Sequence, residues 1–66
     1  MILSFADGKP VLTLHQDESK PRAQIRALRK AAEIYVFLNS MAIYPMPEKE
    51  MISAWPKFER WVLENA

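Results

Sequence analysis

Residues 1–14 contain two mainly apolar runs, residues 2–5 and 11–14, on either side of a central Asp-Gly pair. Asp7 and Gly8 between two apolar runs are typical of a β-hairpin, because a type I′ turn needs positive φ at both central residues. With this pair as the loop, one face of the ribbon is apolar and carries Met1, Leu3, Phe5, Pro10, Leu12 and Leu14. The other face is mixed and carries Ile2, Ser4, Ala6, Lys9, Val11 and Thr13. We therefore predict a hairpin over about residues 2–14, in the register that pairs Leu3 with Leu12.

After a short polar segment, the apolar residues recur at the spacing of a helix. Ser19 is a good N-cap, and Pro21 is tolerated in the first turn of a helix. Apolar residues then recur with a spacing close to 3.6, without glycine or proline between them. They are Ile25, Leu28, Ala31, Ala32, Ile34, Tyr35, Leu38, Met41 and Ala42. Because Pro45 and Pro47 end the pattern, the sequence predicts one long helix over about residues 20–43.

The segment after Pro47 returns to helical spacing but contains one more proline. Glu48 and Glu50 favour a helix start, because acidic side chains interact well with the positive end of the helix dipole. An apolar stripe follows, and its members are Met51, Ile52, Trp55, Phe58, Trp61 and Val62. Pro56 interrupts the stripe. We expect it to break the segment into two short helices, and a single helix kinked near Pro56 is the alternative.

The predicted order of elements is strand, strand, helix, helix. This ββαα arrangement belongs to the α+β class, and residues 1–66 suffice for one small domain only. A chain of this size buries only about 60% of the surface that its unfolded form exposes. We therefore expect its stability to depend on a dense core, on a partner chain, or on both.

Few side chains suited to catalysis or metal binding occur in the sequence. The chain has no cysteine and one histidine, His15, so we expect no disulfide, no metal site and no cofactor. Gly8 alone cannot form a phosphate-binding loop, and no serine lies in a glycine elbow. Chains this short rarely enclose a substrate pocket. The sequence predicts that the protein is not an enzyme and that His15 is an exposed or capping residue.

Two features predict a cytoplasmic location. The first residues carry no positive charge, unlike the start of a signal peptide. The longest apolar run, residues 34–38, is far shorter than the roughly 20 residues that span a bilayer. We therefore expect no membrane contact.

Positive charge is concentrated at the start of the long helix, although the net charge of the chain is only +1. The basic residues there are Lys20, Arg22, Arg26, Arg29 and Lys30. We call Arg22, Arg26 and Arg29 the arginine ridge, because their spacing places them along one side of a helix. Such a ridge suits phosphates or an acidic protein surface. A solvated helix face with an Arg29–Glu33 ion pair is the plainer interpretation.

The long helix also carries apolar residues where water is expected. Val36 and Phe37 continue the face that is basic in the first half of the helix. Either the C-terminal segment folds back over them, with Trp55 and Trp61 against them, or a second chain covers them. The two tryptophans are also candidate anchors for a partner, although their helical spacing suits a core.

The outer face of the hairpin raises the same question. Ile2 and Val11 are apolar residues on that face, beside strand edges that can pair with another chain. An isolated two-stranded ribbon is marginally stable in water. A homodimer, formed through the hairpin edge or through the helix face, is therefore a specific hypothesis.

Taken together, these features favour a small, non-catalytic module that binds a larger protein partner as an inhibitor, adaptor or subunit. The alternative is a small nucleic-acid-binding regulator that uses the arginine ridge. No zinc-finger, aromatic RNA-binding or helix-turn-helix pattern supports that alternative. In its size and its lack of a recognisable active site, the chain resembles the accessory proteins that phages and mobile elements encode to block a larger host protein.

Overall fold

The computed structural model describes residues 1–65, which form two strands followed by two helices. Strand β1 spans Ile2–Ala6, strand β2 spans Lys9–Thr13, helix α1 spans Arg22–Ser40 and helix α2 spans Glu48–Asn65. The predicted ββαα order and the α+β class are confirmed. The hairpin packs against both helices, with β2 on α1 and β1 on α2.

The hairpin has the predicted register, with Leu3 opposite Leu12. Asp7 and Gly8 have φ angles of 53° and 78°, the positive values that a two-residue type I′ turn requires. The second strand ends at Thr13, one residue earlier than predicted. Because the turn fixes the register, it also determines how the apolar residues of the inner face pair.

Helix α1 starts later than the sequence predicts. Its first residue is Arg22, and Pro21 takes the N-cap position without a side-chain hydrogen bond. The expectation that Ser19 caps the helix is therefore wrong. The carbonyl oxygen of Pro21 accepts the N–H groups of Gln24 and Ile25 at 3.0 and 3.1 Å, so proline begins the helix although it has no N–H of its own.

Helix α1 also ends earlier than predicted, at Ser40, because the Asn39 side chain binds the segment that follows. Asn39 accepts the N–H of Met46 at 2.8 Å and donates to the carbonyl oxygen of Met46 at 2.9 Å. Its amide also donates to the sulfur of Met51 at 3.1 Å. These bonds turn the chain toward α2, and they replace the predicted continuation of the helix to residue 43.

Helix α2 continues through Pro56, so the predicted break at this residue is wrong. Proline lacks an N–H and its ring clashes with the preceding turn, which costs a helix interior about 3 kcal/mol. Pro56 is exposed, whereas Trp55 and Phe58 pack into the core. Full burial of one large apolar side chain contributes about 1.5–3 kcal/mol, so the packing of these two residues offsets the cost of the proline.

A small core joins the hairpin to the helices. Its buried side chains are Met1, Leu3, Leu12, Leu28, Ala32, Met51 and Trp55. The largest fully buried side chains are Trp55 and Leu28, one from each helix. The core therefore consists of one layer of side chains between the ribbon and the two helices.

Tyr35 connects the two helices at the edge of this core. Its ring stacks on Phe58, with centroids 4.9 Å apart, and is tilted against Trp55 at 5.8 Å. Its hydroxyl donates to the carbonyl oxygen of Met51 at 3.0 Å, and burial raises the pKa of this hydroxyl. Tyr35 therefore fixes which side of α1 faces α2.

The continuity of α2 predicts that Pro56→Ala stabilises the protein. Alanine restores the missing N–H and removes the ring clash, so we expect the free energy of unfolding to rise by about 1–3 kcal/mol. Urea denaturation followed by far-UV circular dichroism measures the change. Pro47→Ala is the matched control, because Pro47 directly precedes α2, where proline is tolerated and little change is expected. A less stable Pro56→Ala variant would contradict this description of the helix.

Candidate functional site

The arginine ridge lies on the exposed side of α1. Arg22, Arg26 and Arg29 line an open groove of about 320 Å³, together with the half-buried side chain of Ile25. Lys30 is exposed next to Arg29 in the sequence. The helix thus brings three guanidinium groups and one apolar side chain to the same concave surface.

Lys20 does not extend this ridge. It precedes α1, and its ammonium group forms an ion pair with Glu18 at 3.2 Å. The structure therefore groups Lys20 with the loop before the helix rather than with the arginines.

Positive charge on the ridge is not neutralised by other side chains within residues 1–65. None of the three arginines forms an ion pair in that range, and the predicted Arg29–Glu33 pair is not present. The first turn of α1 contains no acidic residue, and Pro21 provides no capping side chain. A cation in the first turn of a helix opposes the helix dipole by about 0.3–1 kcal/mol, and of the three arginines only Arg22 lies in that turn. The charge at this end of α1 therefore lowers the stability of the lone chain.

A second groove connects the ridge to the hairpin. It measures about 250 Å³, and its lining residues are Pro10, Val11, Leu12, Arg29, Ala32 and Glu33. Arg29 lines both grooves, and Val11 is 42% exposed. Val11 and the ridge are therefore parts of one continuous surface. Ile2 is exposed to a similar extent but lines neither of these two grooves.

The apolar surface of α1 is larger than the predicted pair of Val36 and Phe37. Val36 is half-buried, whereas Phe37 is 61% exposed. Further large side chains are exposed beside Phe37 and in the loop after the helix. We call the whole set the apolar face; it consists of Ile34, Phe37, Leu38, Met41, Ile43 and Tyr44.

The C-terminal segment does not cover Phe37. The interpretation in which this segment folds back over Val36 and Phe37 is therefore wrong for Phe37. Helix α2 packs on the side of α1 that carries Tyr35. Residues two positions apart lie on nearly opposite sides of a helix, which places Phe37 away from α2. The apolar face therefore remains uncovered in the folded chain.

Three members of the apolar face do not follow the sequence prediction. The helical stripe includes Ile34, Leu38 and Met41, but the structure exposes all three. The hairpin and α2 cover one side of α1 only, and these residues lie beyond that side. The sequence nevertheless contains a feature that could have indicated this face: no charged residue occurs between Glu33 and Glu48.

The two tryptophans have different environments. Trp55 is 1% exposed and packs against Tyr35, so it is a core residue, as its helical spacing indicated, and it is not a surface anchor for a partner in the folded chain. The ring N–H of Trp55 has no hydrogen-bond partner among the described residues. Trp61 is 59% exposed and stacks on Phe58, with centroids 6.1 Å apart. Of the two, only Trp61 is available at the surface.

A polar cluster fixes the loop between β2 and α1. The amino group of Met1 donates to Glu59 at 2.8 Å and to Glu18 at 3.2 Å. Glu18 also accepts the backbone N–H of His15 at 3.0 Å and pairs with Lys20. These bonds, above all the one from His15, lower the pKa of Glu18 from 4.5 to about 2. The exposed His15 contributes to this cluster through its backbone.

Residues 1–65 contain no cluster of three or more histidine, cysteine, aspartate or glutamate side chains that could hold a metal ion. Within the same range, neither helix is long and apolar enough to cross a membrane. No protein-family model, curated protein or solved structure matches this chain.

The lowered pKa of Glu18 predicts an acid-sensitive contribution to stability. A carboxyl group whose pKa is lower in the folded chain stabilises the fold above pH 4.5 and loses this effect as the pH falls toward 2. We expect Glu18→Gln to lower the free energy of unfolding at neutral pH and to match the wild type near pH 2. Urea denaturation over a pH series measures both curves. Parallel curves over the whole series would show that Glu18 does not act in this way.

Proposed function

We propose that this chain is a small, non-catalytic, cytoplasmic module that presents the arginine ridge to an acidic surface of a larger protein. One observation carries the proposal: three exposed arginines share a groove and have no ion-pair partner within residues 1–65. Guanidinium groups bind carboxylates through paired N–H donors, so aspartate and glutamate side chains of a partner fit this ridge.

Apolar residues beside the ridge extend the surface offered to that partner. Ile25 lies between the arginines, and Val11 borders the adjoining groove next to Arg29. Residues at the centre of an interface are usually apolar, with charged groups around them. A partner surface that is acidic and partly apolar therefore fits this part of the chain.

The open shape of the grooves supports binding rather than catalysis. Substrate sites usually enclose most of the surface of a small ligand, whereas both grooves are open depressions on the surface of α1. Glu18, whose pKa is strongly lowered, is engaged in the hydrogen bonds of the loop before α1. A role as an inhibitor, adaptor or subunit of a larger protein is consistent with these properties.

A small nucleic-acid-binding regulator is the second candidate. The same groove favours it, because guanidinium groups bind phosphate oxygens as they bind carboxylates. The net charge of +1 is low for a protein that binds nucleic acid through charge alone. We therefore rank this function below binding to an acidic protein.

The proposal predicts that binding depends on the ridge and not on positive charge in general. The test variant replaces Arg22, Arg26 and Arg29 by alanine. The matched control replaces three exposed basic residues of α2, Lys49, Lys57 and Arg60, and removes the same charge. Proteins captured by the wild type from extracts of the producing cells are identified by mass spectrometry, and their affinity for each variant is measured by calorimetry.

We expect the ridge variant to bind at least about tenfold more weakly, a loss of about 1.4 kcal/mol, and the control to bind almost as the wild type does. Equal binding by the ridge variant would refute the proposal. Duplex DNA and single-stranded RNA are tested in parallel. Ridge-dependent binding to either one, with a log–log salt slope of about −0.9 per phosphate contacted, would favour the second candidate instead.

A further inference from the structure

Helix α1 has two apolar sides, and the fold covers only one of them. The covered side carries Leu28 and Ala32, which pack in the core with the hairpin and α2. On the other side, Ile34, Phe37, Leu38 and Met41 follow the i, i+3, i+4, i+7 spacing of a single helical stripe. A stripe of this kind is normally buried against another element.

The total surface of the chain shows how much area is left uncovered. A compact monomer of 7.7 kDa exposes about 4300 Å² by the usual scaling of surface with mass. This chain exposes 5265 Å². The difference of roughly 970 Å² is similar in size to the area of about 800 Å² that each partner contributes to a standard protein interface.

The apolar face can supply most of this area. Its six side chains are 47–90% exposed, with Ile43 and Tyr44 the most accessible. A large aromatic side chain alone contributes about 150–250 Å² when it is fully covered. An interface centred on Phe37 therefore reaches the size that stable association needs.

The lack of charge on this face indicates what binds to it. No charged residue occurs between Glu33 and Glu48, so the face offers no charge by which a basic or an acidic partner would be selected. Two copies of such a face can meet without repulsion between like charges. In an antiparallel pair of α1 helices related by a twofold axis, Ile34 lies opposite Met41 and Phe37 opposite Leu38. Each contact is then apolar on both sides.

The charged residues outside the face favour the antiparallel direction. A parallel pair would place the two arginine ridges side by side, whereas an antiparallel pair places them at opposite ends. The antiparallel pair therefore avoids repulsion between the two ridges and leaves each of them open to an acidic partner.

We propose that the apolar face binds a second copy of this chain, so that two α1 helices form an antiparallel, twofold-symmetric pair. This interface uses a surface distinct from the arginine ridge and does not depend on the proposed function. The dimer carries one ridge toward each end, which makes it bivalent toward an acidic partner.

Sedimentation equilibrium from micromolar to hundreds of micromolar protein tests this proposal. We expect the wild type to approach twice the chain mass of 7.7 kDa as its concentration rises. Phe37→Glu places a charge at the centre of the face and should weaken association by at least about thirtyfold. The matched control, Ile2→Glu, makes the same kind of change on the outer face of the hairpin and should remain dimeric.

A pair of complementary variants tests the register. Phe37→Glu and Leu38→Lys should each be monomeric alone, while an equimolar mixture should form a heterodimer, because the two new charges face each other across the axis. The mixture excludes misfolding as the reason for either loss, since a misfolded chain would not recover association.

Three results would overturn the proposal. The wild type remains monomeric at every concentration, or Ile2→Glu abolishes the dimer while Phe37→Glu preserves it, or the complementary mixture fails to associate. The ridge variant separates the two proposals, because it should lose the acidic partner and remain a dimer. A monomeric wild type whose ridge-dependent partner binding persists would refute the dimer and leave the proposed function standing.

Discussion

The contact of Tyr35 with Trp55 and Phe58 determines how this small chain divides its residues between core and surface. These three rings pack between α1 and α2, and the Tyr35 hydroxyl adds a hydrogen bond to the α2 backbone at Met51. Because α2 lies on this side of α1, the opposite side cannot be covered by the same chain. The hairpin does not change this result, since it packs on the covered side through Leu3 and Leu12. The position of one helix therefore decides which surfaces are open to partners.

Both open surfaces of α1 lower the stability of an isolated chain, each for a different reason. The arginine ridge begins with Arg22 in the first turn of the helix, where its positive charge opposes the helix dipole. The apolar face leaves large side chains in water. Burial of apolar surface stabilises a fold by about 25 cal/mol for each Å², and the lone chain lacks this stabilisation at the apolar face. Partners that bind these surfaces would recover part of this free energy. A chain of this size has few other sources of stability, because its core is a single layer and it contains no cysteine.

Local chemistry made the hairpin predictable, whereas tertiary packing decided the features that the sequence analysis missed. Asp7 and Gly8 specify the turn and with it the register, so every inner residue of the ribbon follows from two positions. Pro56 disfavours a helix locally, but the burial of Trp55 beside it outweighs that preference. The exposure of Leu38 and Met41 could not be predicted either, because helical spacing does not show how much of a helix surface the other elements cover. The arginine spacing did place the ridge on one side of α1, but the sequence could not show whether Glu33 neutralises Arg29.

The apolar face of α1 is the proposed interface between two copies of this chain. Isotope-filtered nuclear Overhauser spectroscopy tests it most directly, on an equimolar mixture of ¹³C,¹⁵N-labelled and unlabelled protein, in which the filter retains only contacts between chains. The antiparallel pair predicts intermolecular contacts from the Phe37 ring to the Leu38 methyl groups and from Ile34 to Met41. Intermolecular contacts confined to Ile2 and Val11, or none at concentrations where the wild type sediments as a dimer, would contradict it.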